Sequence, residues 1–107
     1  MAAKYLISIG YKLLEKNWRY SKAEIDLILK SDEILVFCEV KARTGDHFGQ
    51  PEDSISAQKE NLIQDAAQRY MELINYEWEI RFDIISIMLD KQGQLRSLRH
   101  FKDAFFN

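Results

Sequence analysis

Glu24, Asp26, Glu39 and Lys41 are the residues whose types and spacing could do chemistry together. Side chains alternate along a strand. Glu24, Asp26 and Ile28 therefore share one face of a strand, and Phe37, Glu39, Lys41 and Arg43 share one face of the next. If Ser31-Asp32 is a two-residue hairpin turn, Lys30 pairs with Glu33. Glu24 then falls opposite Glu39, and Asp26 opposite Phe37, diagonal to Glu39. Opposed Cβ atoms sit about 4.5–5.5 Å apart and diagonal ones about 7–8 Å. Carboxylates that close repel one another and titrate high. A divalent cation removes the conflict, and hard cations such as Mg²⁺ and Mn²⁺ choose carboxylate, carbonyl and water oxygens. Lys41 lies two residues beyond Glu39, about 6–7 Å at the rise of a strand. It is not a ligand, but it is within reach of an attacking water or a phosphate oxygen. These are the ingredients of metal-assisted phosphodiester hydrolysis. The plainer alternative is a solvated Glu39–Lys41 pair at a strand end. Spacing alone leaves both readings open.

The elements that must position these residues can be read from periodicity. Ala2 to Ile9 is a short helix with Tyr5, Leu6 and Ile9 at helical spacing, stopped by Gly10. Tyr11 to Tyr20 reads as a strand, and Ala23 to Lys30 as a second with clear alternation. Glu33 to Arg43 is a third. Its Ile34-Leu35-Val36-Phe37-Cys38 run is apolar on both faces, as in a central strand covered on both sides. Residues 44–54 form a polar loop with Gly45, Gly49 and Pro51.

Ser56 to Tyr76 is a long helix with Ser56 as its N-cap. Its apolar stripe includes Leu62, Ile63, Ala66, Tyr70, Leu73 and Ile74. Glu79 to Leu89 is a fourth strand, Lys91-Gln92-Gly93 a turn and Leu95 to Phe101 a fifth strand, followed by Phe105 and Phe106. A right-handed crossover through the long helix sets the third and fourth strands parallel. The expected architecture is α/β, a mixed five-stranded sheet flanked by helices, in a single domain over residues 1–107.

Composition narrows the classes. At 107 residues the chain can bury one core without staples, and the lone Cys38 rules out an internal disulfide and a cysteine zinc cage. No apolar run reaches the length of a membrane span, and the N-terminus has no signal-peptide design, which fits a cytoplasmic protein. The net charge of −2 argues against a generic basic nucleic-acid binder. The distribution is uneven: residues 1–23 carry +4 and 91–107 carry +3, around an acidic 44–90 at −7. If the ends meet in space they make a local positive surface.

Other residues carry plainer readings. Cys38 faces away from Glu39 and reads as core. His47 reads as a solvated loop histidine, His100 as structural with no evident carboxylate partner, and Asp83 as an ion-pair partner of Arg81 or a nearby lysine. Trp18, Trp78, Phe105 and Phe106 could stack on bases, or equally be core or a dimer surface. Arg43 extends the Glu39/Lys41 face as a phosphate contact.

Three strings resemble the bacterial YraN family: Asn17-Trp18-Arg19, Glu24-Ile25-Asp26-Leu27-Ile28 and Val36-Phe37-Cys38-Glu39-Val40-Lys41-Ala42-Arg43. Phe48-Gly49-x-Pro51-Glu52, Arg81-Phe82-Asp83 and His100-x-x-x-Ala104-Phe105 extend the match in the same order. The resemblance implies a compact restriction-endonuclease-like fold with an αβββαβ core, similar to archaeal Holliday-junction resolvases. It implies Asp26 and Glu39 as ligands of Mg²⁺ or Mn²⁺, the Val40 carbonyl as a further ligand, Glu24 in support and Lys41 as the catalytic lysine. It also makes Gln58 and Lys59, at the start of the long helix, candidate substrate contacts. The partner it implies is nucleic acid, DNA first, with a homodimer as a common assembly. Two departures stand out. The family's Gly-Glu ahead of Tyr5-Leu6 would fall before Met1, and Ala23 stands where the family has Gly. The expected function is metal-dependent hydrolysis of DNA, branched or damaged; the alternative is a nuclease scaffold that binds nucleic acid or protein without cutting.

Overall fold

The computed structural model describes residues 1–44 and 55–105. Helix α1 (Ala2–Ser8) leads into strands β1 (Lys12–Tyr20), β2 (Ala23–Ser31) and β3 (Ile34–Thr44). Helix α2 (Ala57–Leu73) then crosses over to β4 (Ile80–Leu89) and β5 (Leu95–Phe101). The five strands form one sheet in the order β1-β2-β3-β4-β5. The β3/β4 pair is parallel and the others are antiparallel. This α/β arrangement, a mixed sheet with an αβββαβ core, is the one expected from the sequence. No helix among the described residues is long and apolar enough to cross a membrane.

Local sequence explains the element ends. Ser56 Oγ accepts from the Lys59 amide at 3.2 Å and so starts α2. Gly10, at φ 103, closes α1 in a conformation that favours glycine. The β2–β3 hairpin differs from expectation. Ser31 pairs with Ile34, so the turn is Asp32-Glu33 rather than Ser31-Asp32. Asp32 takes φ 52, which a short polar side chain tolerates better than serine's neighbours in the strand would. The register moves by two residues. Ile28, not Asp26, lies opposite Phe37. Because the slip is even, the paired side chains from Leu27 to Ser31 keep their expected faces.

Each face of the sheet carries its own core. On the α2 side, Ile25, Ile28 and Phe37 pack with Ile63, Ala66 and Tyr70. On the α1 side, Leu27, Leu29, Val36 and Cys38 pack with Leu6 and Tyr11. β3 is covered on both faces, as its doubly apolar run requires. Phe105 stacks on Phe82 and is core, and Trp18 packs edge-on against Tyr70. Trp78 is 68% exposed. Leu73 and Ile74, expected in the apolar stripe, are exposed at the C-terminal end of the helix.

Beneath α1 lies a polar cluster. Asp83 is fully buried and takes a two-pronged contact from Arg81, Nε to Oδ1 at 2.8 Å and Nη2 to Oδ2 at 2.7 Å. Arg81 also donates to the Tyr11 hydroxyl at 2.6 Å. His100 Nε2 lies 2.8 Å from Asp83 Oδ2. His100 therefore does have a carboxylate partner, contrary to expectation. The β4/β5 register places it opposite Ile85, diagonal to Asp83, a proximity invisible in linear sequence. Burial pushes the Asp83 carboxyl up, but Arg81, His100 and the Asp103 amide together hold it below the usual range. Removing one partner of a buried ion pair costs about 3–5 kcal/mol, since the other charge is stranded. Arg81→Leu should lower unfolding stability in urea by that order; a loss within the scatter of surface substitutions would contradict this role.

Candidate metal centre

The site forms where two strands part. The β2–β3 ladder runs through Leu27↔Cys38 and goes no further. One step beyond, Asp26 would stand level with Glu39. Instead the Val40 amide donates to Asp26 Oδ2 at 2.7 Å. The side chain of Asp26 thus takes over from the backbone and satisfies a donor that would otherwise be left in the gap.

The neighbouring strand explains the break. Lys16 pairs with Leu27, and Trp18 with Ile25. Pairs two steps apart normally share a face. Yet Trp18 and Ile25 pack in the α2-side core, while Leu27 packs in the α1-side core. The alternation expected for Ile25, Leu27 and Leu29 fails between these pairs, where Asn17 takes φ 50. Asparagine visits that region more readily than most residues. The kink turns Asp26 out of the ladder toward the end of the sheet.

Glu39 points to the α2 side. It is 3% exposed, unusual for a glutamate. Its Oε2 lies 3.3 Å from Lys59 Nζ. Its Oε1 is buried and has no hydrogen-bond partner among the described residues. Burial, and then the nearby Asp26 carboxylate, push Glu39 up to about 7. Asp26 is also raised, first by burial and further by Glu24, against the lowering effect of the Val40 amide. Two acids titrating high beside each other, with an orphaned buried oxygen, form an electron-rich pocket of hard donors that suits a divalent cation.

The structure brings Asp26, Glu39, Val40 and Lys59 together. Glu24 is placed differently from the expected position opposite Glu39: it pairs with Arg19 across the β1/β2 ladder, carboxylate to Nε at 2.6 Å. Among the described residues no group of three or more His, Cys, Asp or Glu side chains is placed to hold a metal. Two carboxylates remain compatible with Mg²⁺, which keeps several waters and uses one or two protein carboxylates. Lys41 and Arg43 continue along β3 at positions two and four beyond Glu39. Gln58 is exposed beside Lys59 in the first turn of α2. His47, Gly45, Gly49, Pro51 and Phe106 lie outside the described residues. Sequence reasoning assigns no role to Arg19, Lys16 or Asn17. An asparagine within a strand pattern is the only cue for the last.

On the α1 side, Asp26 also lines an open cleft of about 450 Å³ with Lys16, Asn17, Val40 and Ala42. Asp26 therefore stands at the junction of two surfaces, Glu39 on one side and this cleft on the other.

Fold and site together define an α/β protein with an acid pair at a strand break. The chain belongs to the family described as Uncharacterised protein family UPF0102, the YraN family, whose pattern it matches over residues 1–87. A UPF0102 protein of Clostridium perfringens is 42% identical, over 98% of this chain and 87% of its own length. One of Flavobacterium psychrophilum is 38% identical, over 100% and 88%. One of Thermodesulfovibrio yellowstonii is 40% identical, over 99% and 89%. Among solved structures, Pyrococcus furiosus SfsA in complex with Ca²⁺ is similar with a TM-score of 0.40 and 13% identity, over 94% of this chain and 58% of that one.

The raised Glu39 has a thermodynamic consequence. An acid whose folded pKa exceeds its unfolded value favours the fold at low pH and loses that contribution as pH rises from the unfolded value to the folded one. Stability in chelator should therefore fall between about pH 4.5 and 7 by an amount of order 3 kcal/mol, from the shift of Glu39 from 4.5 to about 7. Glu39→Gln should flatten that slope in urea titrations across the same range. An unchanged slope would show that Glu39 does not titrate high.

Proposed function

We propose that this chain is a divalent-metal-dependent nuclease that hydrolyses phosphodiester bonds of DNA in the cytoplasm. The observation that carries the reading is the buried Glu39 with its orphaned Oε1, beside Asp26 and beneath Lys59. Asp26, Glu39 and the Val40 carbonyl would hold Mg²⁺ or Mn²⁺, with Glu24 in support. When bound, such a cation polarises the phosphate and acidifies water.

The chain's own residues supply the rest. Lys41, two residues beyond Glu39 on β3, would orient the attacking water and stabilise charge that grows on the phosphoryl oxygens. Arg43 extends the same strand as a phosphate contact, which positions rather than specifies. Gln58 and Lys59 meet the substrate from α2.

Lys59 also favours a second reading. It already neutralises Glu39 at 3.3 Å, so the site is partly satisfied without any cation. A scaffold that binds nucleic acid without cutting would need no more than this.

The test is cleavage of labelled duplex, single-stranded, flap and four-way-junction DNA in Mg²⁺ or Mn²⁺. Wild type would cut, and Asp26→Asn and Lys41→Ala, prepared identically, would each lose about 100-fold or more, the usual cost of removing such a group. Equal cutting by all three would mark a contaminant and sink the assignment. No cutting, with DNA binding in chelator that survives Asp26→Asn, would establish the scaffold reading instead.

A further inference from the structure

The cleft on the α1 side of Asp26 has no role in the acid pair itself. Its lining combines apolar residues, among them Ala2, Val40, Ala42 and Ile87, with the polar Lys16, Asn17 and Asp26. A volume of about 450 Å³ falls in the range of small-ligand clefts, about 300–1,000 Å³. That volume matches one nucleoside-sized group. The approach is basic. β1 is an edge of the sheet, and Lys12 and Lys16 along it, with Lys22 in the turn that follows, are exposed, while Arg19 is paired with Glu24. In a chain of net charge −2, residues 1–23 carry the largest positive excess. A basic margin leading to a partly apolar lining matches a phosphate backbone followed by a nucleobase: cations hold the phosphates, and apolar side chains cover a base removed from its stack.

We infer that this cleft receives one unpaired nucleotide next to the scissile phosphate, with Lys16 on its backbone and Val40, Ala42 and Ile87 against its base. The inference rests on the nuclease reading and deepens it. The substrate class becomes DNA with an unpaired nucleotide at the cut, as in a bulge, a flap base or a single strand. Asp26 ties the two together, because it lines the cleft and faces Glu39 through the strand break. The kink at Asn17, itself part of the lining, frees Asp26.

The experiment is fluorescence anisotropy in chelator, where nothing is cut. The probes are a perfect duplex, the same duplex with a single-nucleotide bulge, and the single strand. Wild type should bind the bulged and single-stranded probes about tenfold or more tightly than the perfect duplex. Ala42→Phe, which fills the cleft from an exposed position, should bring that ratio to about one. Lys16→Gln should weaken binding to all probes and lower the salt slope by about 1, as loss of one phosphate contact does. A wild type without preference, or a preference that survives Ala42→Phe, would overturn the inference. If Ala42→Phe fails to fold, an unchanged salt slope in Lys16→Gln overturns it alone. Cleavage by the wild type in Mg²⁺ is read separately. Preference without cleavage removes the nuclease reading and keeps the cleft; cleavage without preference does the reverse.

Discussion

The hydrogen bond from the Val40 amide to Asp26 is the interaction on which the site depends. Strands β2 and β3 must part for the end of the sheet to open, and parting leaves backbone groups unpaired. An unpaired buried amide costs about 1–3 kcal/mol. A carboxylate in place of a backbone carbonyl removes that cost and leaves an anion at the opening. The same residue therefore holds the break together and supplies its charge. Glu39, one position before Val40, is then held beside that anion by the central strand, which is pinned on both faces.

Charge opposes this arrangement, and packing enforces it. The core under α2 fixes Phe37 and hence the direction of Glu39. The core under α1 fixes Val36 and Cys38. Glu39 cannot relax into water without disturbing the layer under α2. Lys59 relieves part of the conflict from α2, whose first turn is anchored by Ser56. The Arg81–Asp83 cluster offers a contrast on the neighbouring strand. There a buried acid is fully partnered and held ionised, as a structural group should be. At Glu39, by contrast, Oε1 has no hydrogen-bond partner among the described residues.

Much of this was legible in the sequence. The alternation of β2, the doubly apolar run of β3 and the stripe of α2 with its serine cap predict the elements, their order and the parallel crossover. The pairing of Asp26 with Glu39 was legible only approximately. Ser31-Asp32 and Asp32-Glu33 are both reasonable turn dipeptides, and choosing the former moves the register by two. An even slip keeps the two acids together, with Asp26 level with Glu39 where Glu24 was expected, and Glu24 goes to Arg19 instead. The break at Asn17 was not legible, since a left-handed asparagine looks like any strand asparagine in a string of letters. The Asp83–His100 and Glu39–Lys59 contacts were equally hidden. They join residues from different elements, and only the register and the helix placement bring them within reach.

The central claim is that Asp26 and Glu39 form one cation site at the strand break. Calorimetric titration of Mn²⁺ into the wild type, Asp26→Asn and Glu39→Gln at pH 7.5 tests it most directly. The account predicts one site in the wild type and affinity at least about tenfold weaker in each variant, since each removes one of two carboxylates from a hard-cation site. Binding of equal strength in all three proteins would contradict it.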